Sequence, residues 1–111
     1  MRSEIILLVE NIDICRYFYR HTLGLGEPIL DSTYMCAFAL DDETFLVLEK
    51  SSASFMEHAA SACRFALHFE DMDSVIERLK SAGENPVEAF TRFNQSAYRI
   101  SDPEGNIILL I

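Results

Sequence analysis

The chain repeats one layout, a strand, then a helix, then a run of short strands, at an offset of about sixty positions, and a repeat of that kind admits few folds. With Val9 set on Phe69, Asn11 falls on Asp71, Ile12 on Met72, Cys15 on Val75 and Tyr19 on Leu79. The pairs match in physical type more than in identity. A polar residue opens each helix, and apolar residues follow three or four positions apart. Each copy alone leaves a sheet face without cover, so two such modules must face each other to bury their sheets.

A chain of 111 residues, half of them apolar, is the size of one domain with one sizeable core. The reading is a single domain over 1–111, with module one at about 3–49, a linker at 50–62 and module two at about 63–111. The longest apolar runs, 5–9 and 107–111, are strand-sized and far too short to cross a bilayer. Met1-Arg2-Ser3 leads into an apolar run that Glu10 breaks, without the length or the small-residue cleavage site of a secretory signal. A cytoplasmic protein with no membrane partner is expected.

Local signals place the elements. Residues 4–9 form the first strand, and Asn11 caps a helix whose stripe runs Ile12, Cys15, Phe18, Tyr19 and Leu23 and stops at Gly24. Strands follow at 28–30, 34–40 and 44–49, separated by polar turns. The segment 50–62, rich in Ser and Ala, connects the modules. The second module opens with a strand at 63–69. Asp71 then caps a helix bearing Met72, Val75, Ile76 and Leu79 that ends at Gly83. Strands at 87–92, 96–101 and 106–111 complete it, with Asp102-Pro103-Glu104-Gly105 suited to a tight turn.

Cys15, Cys36 and Cys63 are the three cysteines. Their odd number and wide spacing match neither a zinc site nor a redox motif, and they read as reduced, partly buried small hydrophobes. Eighteen acidic against nine basic side chains leave a net charge of −9, which repels phosphates and argues against nucleic acid as a partner. That charge would steer a cationic ligand inward, and it also serves solubility.

Three segments carry a resemblance that spans nearly the whole chain: Val9-Glu10-Asn11-Ile12-Asp13 leading to Tyr17-Phe18-Tyr19, then Leu23-Gly24-Leu25, then Asp102-Pro103-Glu104-Gly105-Asn106. In that order, and with the internal repeat, the chain resembles the vicinal oxygen chelate superfamily, which includes glyoxalase I, extradiol dioxygenases, and fosfomycin- and bleomycin-resistance proteins. The resemblance implies an α+β fold of two βαβββ modules whose curled mixed sheets surround a central cavity. It also implies a homodimer.

Catalytic members of the superfamily hold a divalent metal in that cavity through His, Gln or Glu from the first and fourth strands of each module, where it stabilises a developing enediolate. Counting from the matched motifs, the resemblance carries those positions onto Glu4, Val47, Arg64 and Leu109, with Glu49 two residues beyond Val47 on the same face. Only Glu4 among the four can ligate a metal. Val47 and Leu109 offer no lone pairs, and the guanidinium of Arg64 stays protonated. No metal and no other cofactor is therefore expected. An unfamiliar site assembled from Glu4, Glu49 and His68 is the alternative.

Strand alternation puts Ile6, Leu8, Phe45, Val47, Glu49, Ala66, His68, Ile107 and Leu109 on the same side as Glu4 and Arg64. The ligand-binding cavity is thus expected to carry Glu4, Phe45, Glu49, Arg64, His68 and Leu109 in a mostly apolar lining. Arg64 either pairs with Glu4 or Glu49 or clamps a ligand carboxylate or phosphate. His68 is either a satisfied core histidine or an acid, base or donor. Tyr34 and Tyr98 lie on or beside cavity-forming strands. No catalytic residue is identified. The expected function is a metal-free small-molecule-binding protein of the glyoxalase/bleomycin-resistance type; the alternative is a divalent-metal-dependent lyase or isomerase with a non-standard ligand set.

Overall fold

Asn11 and Asp71 start the two helices as their positions predict. The Asn11 Oδ1 accepts from the Ile14 amide at 3.2 Å, and α1 runs Ile12–Tyr17. Asp71 accepts from the Ser74 hydroxyl at 2.7 Å and amide at 3.2 Å, which hold its carboxyl below the usual carboxylate range. The second helix, α2, runs Met72–Ser81. It is closed by Gly83 at φ 86, a backbone that only glycine adopts freely. The computed structural model describes residues 1–51, 62–90 and 96–111; most of the expected linker 50–62 lies outside them.

The described chain forms two compact units, Met1–Ser61 and Ala62–Ile111. In the first, β1 (Ser3–Val9), β2 (Leu30–Asp31), β3 (Met35–Ala39) and β4 (Thr44–Lys50) make a sheet of order β1-β4-β3-β2. In the second, β5 (Arg64–Leu67), β6 (Val87–Phe90), β7 (Ser96–Ser101) and β8 (Ile107–Leu110) repeat that order as β5-β8-β7-β6. In both sheets the first strand runs parallel to the last and the other neighbours are antiparallel. The duplication in the sequence is therefore a duplication of topology, in an α+β fold of two mixed sheets.

In the first unit Leu7, Val9, Leu46, Leu48, Cys36 and Phe38 form one buried face of the sheet, joined by Ile12, Cys15, Phe18, Tyr19 and Leu23 from the helical segment. Tyr19 sits edge-on to Phe18 with ring centroids 5.1 Å apart and tilted against Phe38 at 6.4 Å. In the second unit the buried set is Leu67, Ile100, Ile108 and Leu110 with Val75 and Leu79 of α2.

The first helix departs from the expected single α-helix to Gly24. Beyond Tyr17 it widens into a π-helical segment, Phe18–Thr22, closed by the Leu23 amide donating to the Phe18 carbonyl at 2.8 Å. Phe18 and Tyr19 are both buried in this segment. The second strand also moves, from the expected 28–30 to Leu30–Asp31. Arg16 holds it there, its Nε donating to Asp31 at 2.6 Å and its Nη2 to the Ser32 carbonyl at 2.6 Å.

A second polar tie lies in the turn before β8. Asp102 and Asn106 are buried. The Asp102 carboxylate accepts from the Glu104 and Asn106 amides at 2.9 Å and from the Asn106 side-chain amide at 2.8 Å. Asn106 Oδ1 in turn accepts from the Cys63 amide at 2.8 Å. The turn thereby fixes the start of β5, one residue before Arg64.

All three cysteines are free thiols; Cys15 and Cys36 are buried, but Cys63 is exposed rather than partly buried as expected. Burial raises the Cys36 thiol above its ordinary range. Native protein treated with iodoacetamide is therefore expected to gain one carbamidomethyl group, on Cys63, and denatured protein three. Peptide mass spectrometry checks this, and fast native labelling of Cys15 or Cys36 would contradict the core described here.

Candidate functional site

Strand register defines the sheet face opposite each helix. In the first unit Glu4 lies beside Phe45, Ile6 beside Val47 and Leu8 beside Glu49. On β3, Ala39, Ala37 and Met35 continue these three rows, and Leu30 of β2 extends the middle one. This face is mainly apolar with a carboxylate at either end, and Val47 and Ala37 in its middle row are buried. Ile6 and Leu8 are 49% and 44% exposed, high values for large side chains in the middle of a strand. Arg2 lies over the Phe45 ring at 4.6 Å and 3.8 Å from Glu4.

The second unit presents its counterpart. Arg64 lies beside Ile107 and Ser101, and Ala66 beside Leu109, Arg99 and Val87. Arg64, Ser101 and Arg99 are exposed, and Val87 is 52% exposed. His68 lies one residue past the end of β5 and is exposed. It is not a core histidine.

The expected residues thus divide between the units. Glu4, Phe45 and Glu49 share the face of the first sheet, Arg64 and Leu109 share that of the second, and His68 stands beyond its strand. Tyr98 lies on a strand of the second sheet, as expected, but not on the face that carries Arg64 and Leu109. It pairs in register with Glu88 and Leu110, on the helix side of the sheet, and lines an open groove with Ile76, Glu77 and Lys80 of α2. Tyr34 is 72% exposed in the turn before β3. Arg99 escapes a count that follows only the first and fourth strands of each module. The signal for it is the hairpin: counting outward from the Asp102-to-Gly105 turn sets Arg99 opposite Leu109.

At the four positions that the resemblance assigns to a metal, only Glu4 carries a donor group suited to one. Val47 and Leu109 carry no donor atoms, and Arg64 brings a permanent positive charge. Glu4 and Glu49 do not make a substitute pair. Glu4 is level with Phe45, four residues from Glu49, so their Cα positions are about 14 Å apart by strand geometry, too far to share one ion. Among the described residues no group of three His, Cys, Asp or Glu side chains is placed to hold a metal.

Solved structures similar to this chain match it almost end to end. A glyoxalase/bleomycin resistance protein from Catenulispora acidiphila matches with a TM-score of 0.79 at 20% identity, covering 99% of this chain and 96% of that one. A lactoylglutathione lyase from Agrobacterium tumefaciens gives 0.78 at 20% identity, covering 99% and 91%. A glyoxalase/bleomycin resistance protein from a Streptomyces species gives 0.77 at 22% identity, covering 99% and 98%. No family model matches the sequence, and no curated protein matches it. The chain has the vicinal oxygen chelate fold. Among the described residues no helix is long and apolar enough to cross a membrane.

Proposed function

We propose that this protein is a metal-free binder of a small amphipathic molecule, acting in the cytoplasm as a homodimer. The observation that carries the reading is the chemistry at the four metal positions, where Glu4 is joined by Val47, Arg64 and Leu109. A catalytic ion needs three or four donor side chains, and these positions supply one. Glu4, Phe45 and Glu49 on one open face and Arg64, Leu109 and the nearby His68 in the other unit give mainly apolar surfaces with few polar points, the make-up of a small-molecule site. Exposed Ile6, Leu8, Leu30 and Val87 support a second copy of the chain as part of their cover. The free thiols are consistent with a reducing compartment.

Native mass spectrometry of freshly purified protein tests the reading. The expected result is a dimer with less than about a tenth of an equivalent of divalent metal per chain and a retained organic molecule, with dialysis against EDTA leaving Tm unchanged because no metal is linked to folding. Close to one tightly held equivalent per chain, with Tm falling on its removal, would overturn the proposal in favour of a metal-dependent lyase or isomerase.

A further inference from the structure

We infer that the open face of the second sheet is an oxyanion site, and that the ligand there is a carboxylate on an apolar body, held between Arg64 and Arg99 with Ser101 beside them. The inference rests on the small-molecule-binding reading above and gives that ligand its charge. Arg64 on β5 and Arg99 on β7 flank β8, two strands apart and offset by two residues. By strand geometry their Cα positions are about 12 Å apart, a gap that two long side chains leaning over the intervening strand can close on one anionic group. Ser101 lies in the Arg64 row and adds a hydroxyl donor.

Between the arginines, Ile107 and Leu109 form the floor, with Val87 beyond Arg99. Among the described residues the register places no carboxylate on this face. In a protein with twice as many acidic as basic side chains, two guanidinia on one apolar face would ordinarily find acidic neighbours. Arg2, Arg16 and Arg20 do find them. Among the described residues neither Arg64 nor Arg99 is paired with a carboxylate. A guanidinium fork matches a carboxylate with two parallel hydrogen bonds, and an aryl or alkyl body would cover Ile107 and Leu109. The arrangement therefore selects an anionic amphiphile over the cationic ligand that the net charge alone would attract.

The test titrates the full chain with 1-naphthoate and with its neutral analogue 1-naphthalenemethanol, followed by calorimetry and by the arginine side-chain NMR signals. Naphthoate is expected to bind at least about tenfold more tightly than the alcohol. R64M and R99M should each weaken naphthoate by about tenfold or more and leave the alcohol within about twofold, while R99K loses less than R99M. In the wild-type protein the Arg64 and Arg99 Nε–H signals should move with naphthoate, a readout independent of whether any variant folds. Equal binding of the two probes, or naphthoate affinity unmoved in both methionine variants, overturns the oxyanion site and leaves the small-molecule reading standing. Failure of both probes to bind overturns both. A third result, R64M and R99M loosening the dimer in sedimentation velocity with naphthoate affinity unchanged, would assign the arginines to carboxylates of a second copy and overturn the site.

Discussion

Phe38→Ala is expected to cost about 4 kcal/mol, because truncating a fully buried aromatic removes its transfer energy and leaves a cavity that neighbours fill only in part. Phe38 has no exposed surface. It lies opposite Leu46 in the sheet and against the Tyr19 ring, so the void opens between β3 and the π-helical segment. Phe18 and Tyr19 of that segment are both buried, and truncating Phe38 removes a ring that Tyr19 packs against. A fall in Tm of roughly 15 °C is anticipated for a domain of this size. Hydrogen exchange should show the loss concentrated in β3, β4 and residues 12–25. Phe38→Leu, which keeps most of the volume, should be far milder. Near-native stability of the alanine variant would mean that this core is not packed as described.

Asp102→Ala is expected to cost about 3 kcal/mol through loss of hydrogen bonds instead of apolar contact, since its buried carboxylate accepts three donors and truncation leaves them without it. Asp102→Asn is a sharper variant. Its new amide would face the donating Nδ2 of Asn106, and the conflict is relieved only if Asn106 turns its own amide over. That turn removes the oxygen that accepts from the Cys63 backbone. The asparagine variant should therefore retain much of the stability but loosen the start of β5, seen as faster exchange of the Cys63 amide and lower affinity for naphthoate at Arg64. Urea denaturation and amide exchange together separate the two effects. Wild-type exchange at Cys63 in both variants would show that the turn does not set the arginine's position.

Much of the fold can be read from local chemistry. Asn11 and Asp71 can be assigned as caps from the sequence because capping is decided within one turn of chain, and the repeat is visible because the same pattern recurs around both. The departures are tertiary. Nothing local marks the π-helical widening, because Cys15, Phe18 and Tyr19 keep the i, i+3, i+4 spacing of an ordinary helix face. The shift of β2 to Leu30–Asp31 depends on Arg16 reaching across from α1. The faces of β1, β4, β5 and β8 follow from alternation once Glu4 and Arg64 are set. Tyr98 does not, because its side depends on the β7 register, and the same register brings in Arg99. His68 reads as part of a strand because its neighbours are apolar, yet the strand stops at Leu67; the Phe69 amide still bonds to the Ile111 carbonyl at 3.0 Å.

The accessible sulfur of Cys63 immediately precedes Arg64 in the chain, whereas Cys15 and Cys36 are shielded from reagents. An environment-sensitive dye attached through a maleimide would need no engineered residue. It would stand at the start of β5, where the Cys63 amide is held by Asn106, and report on that turn, so the native chain carries its own attachment point for an optical probe.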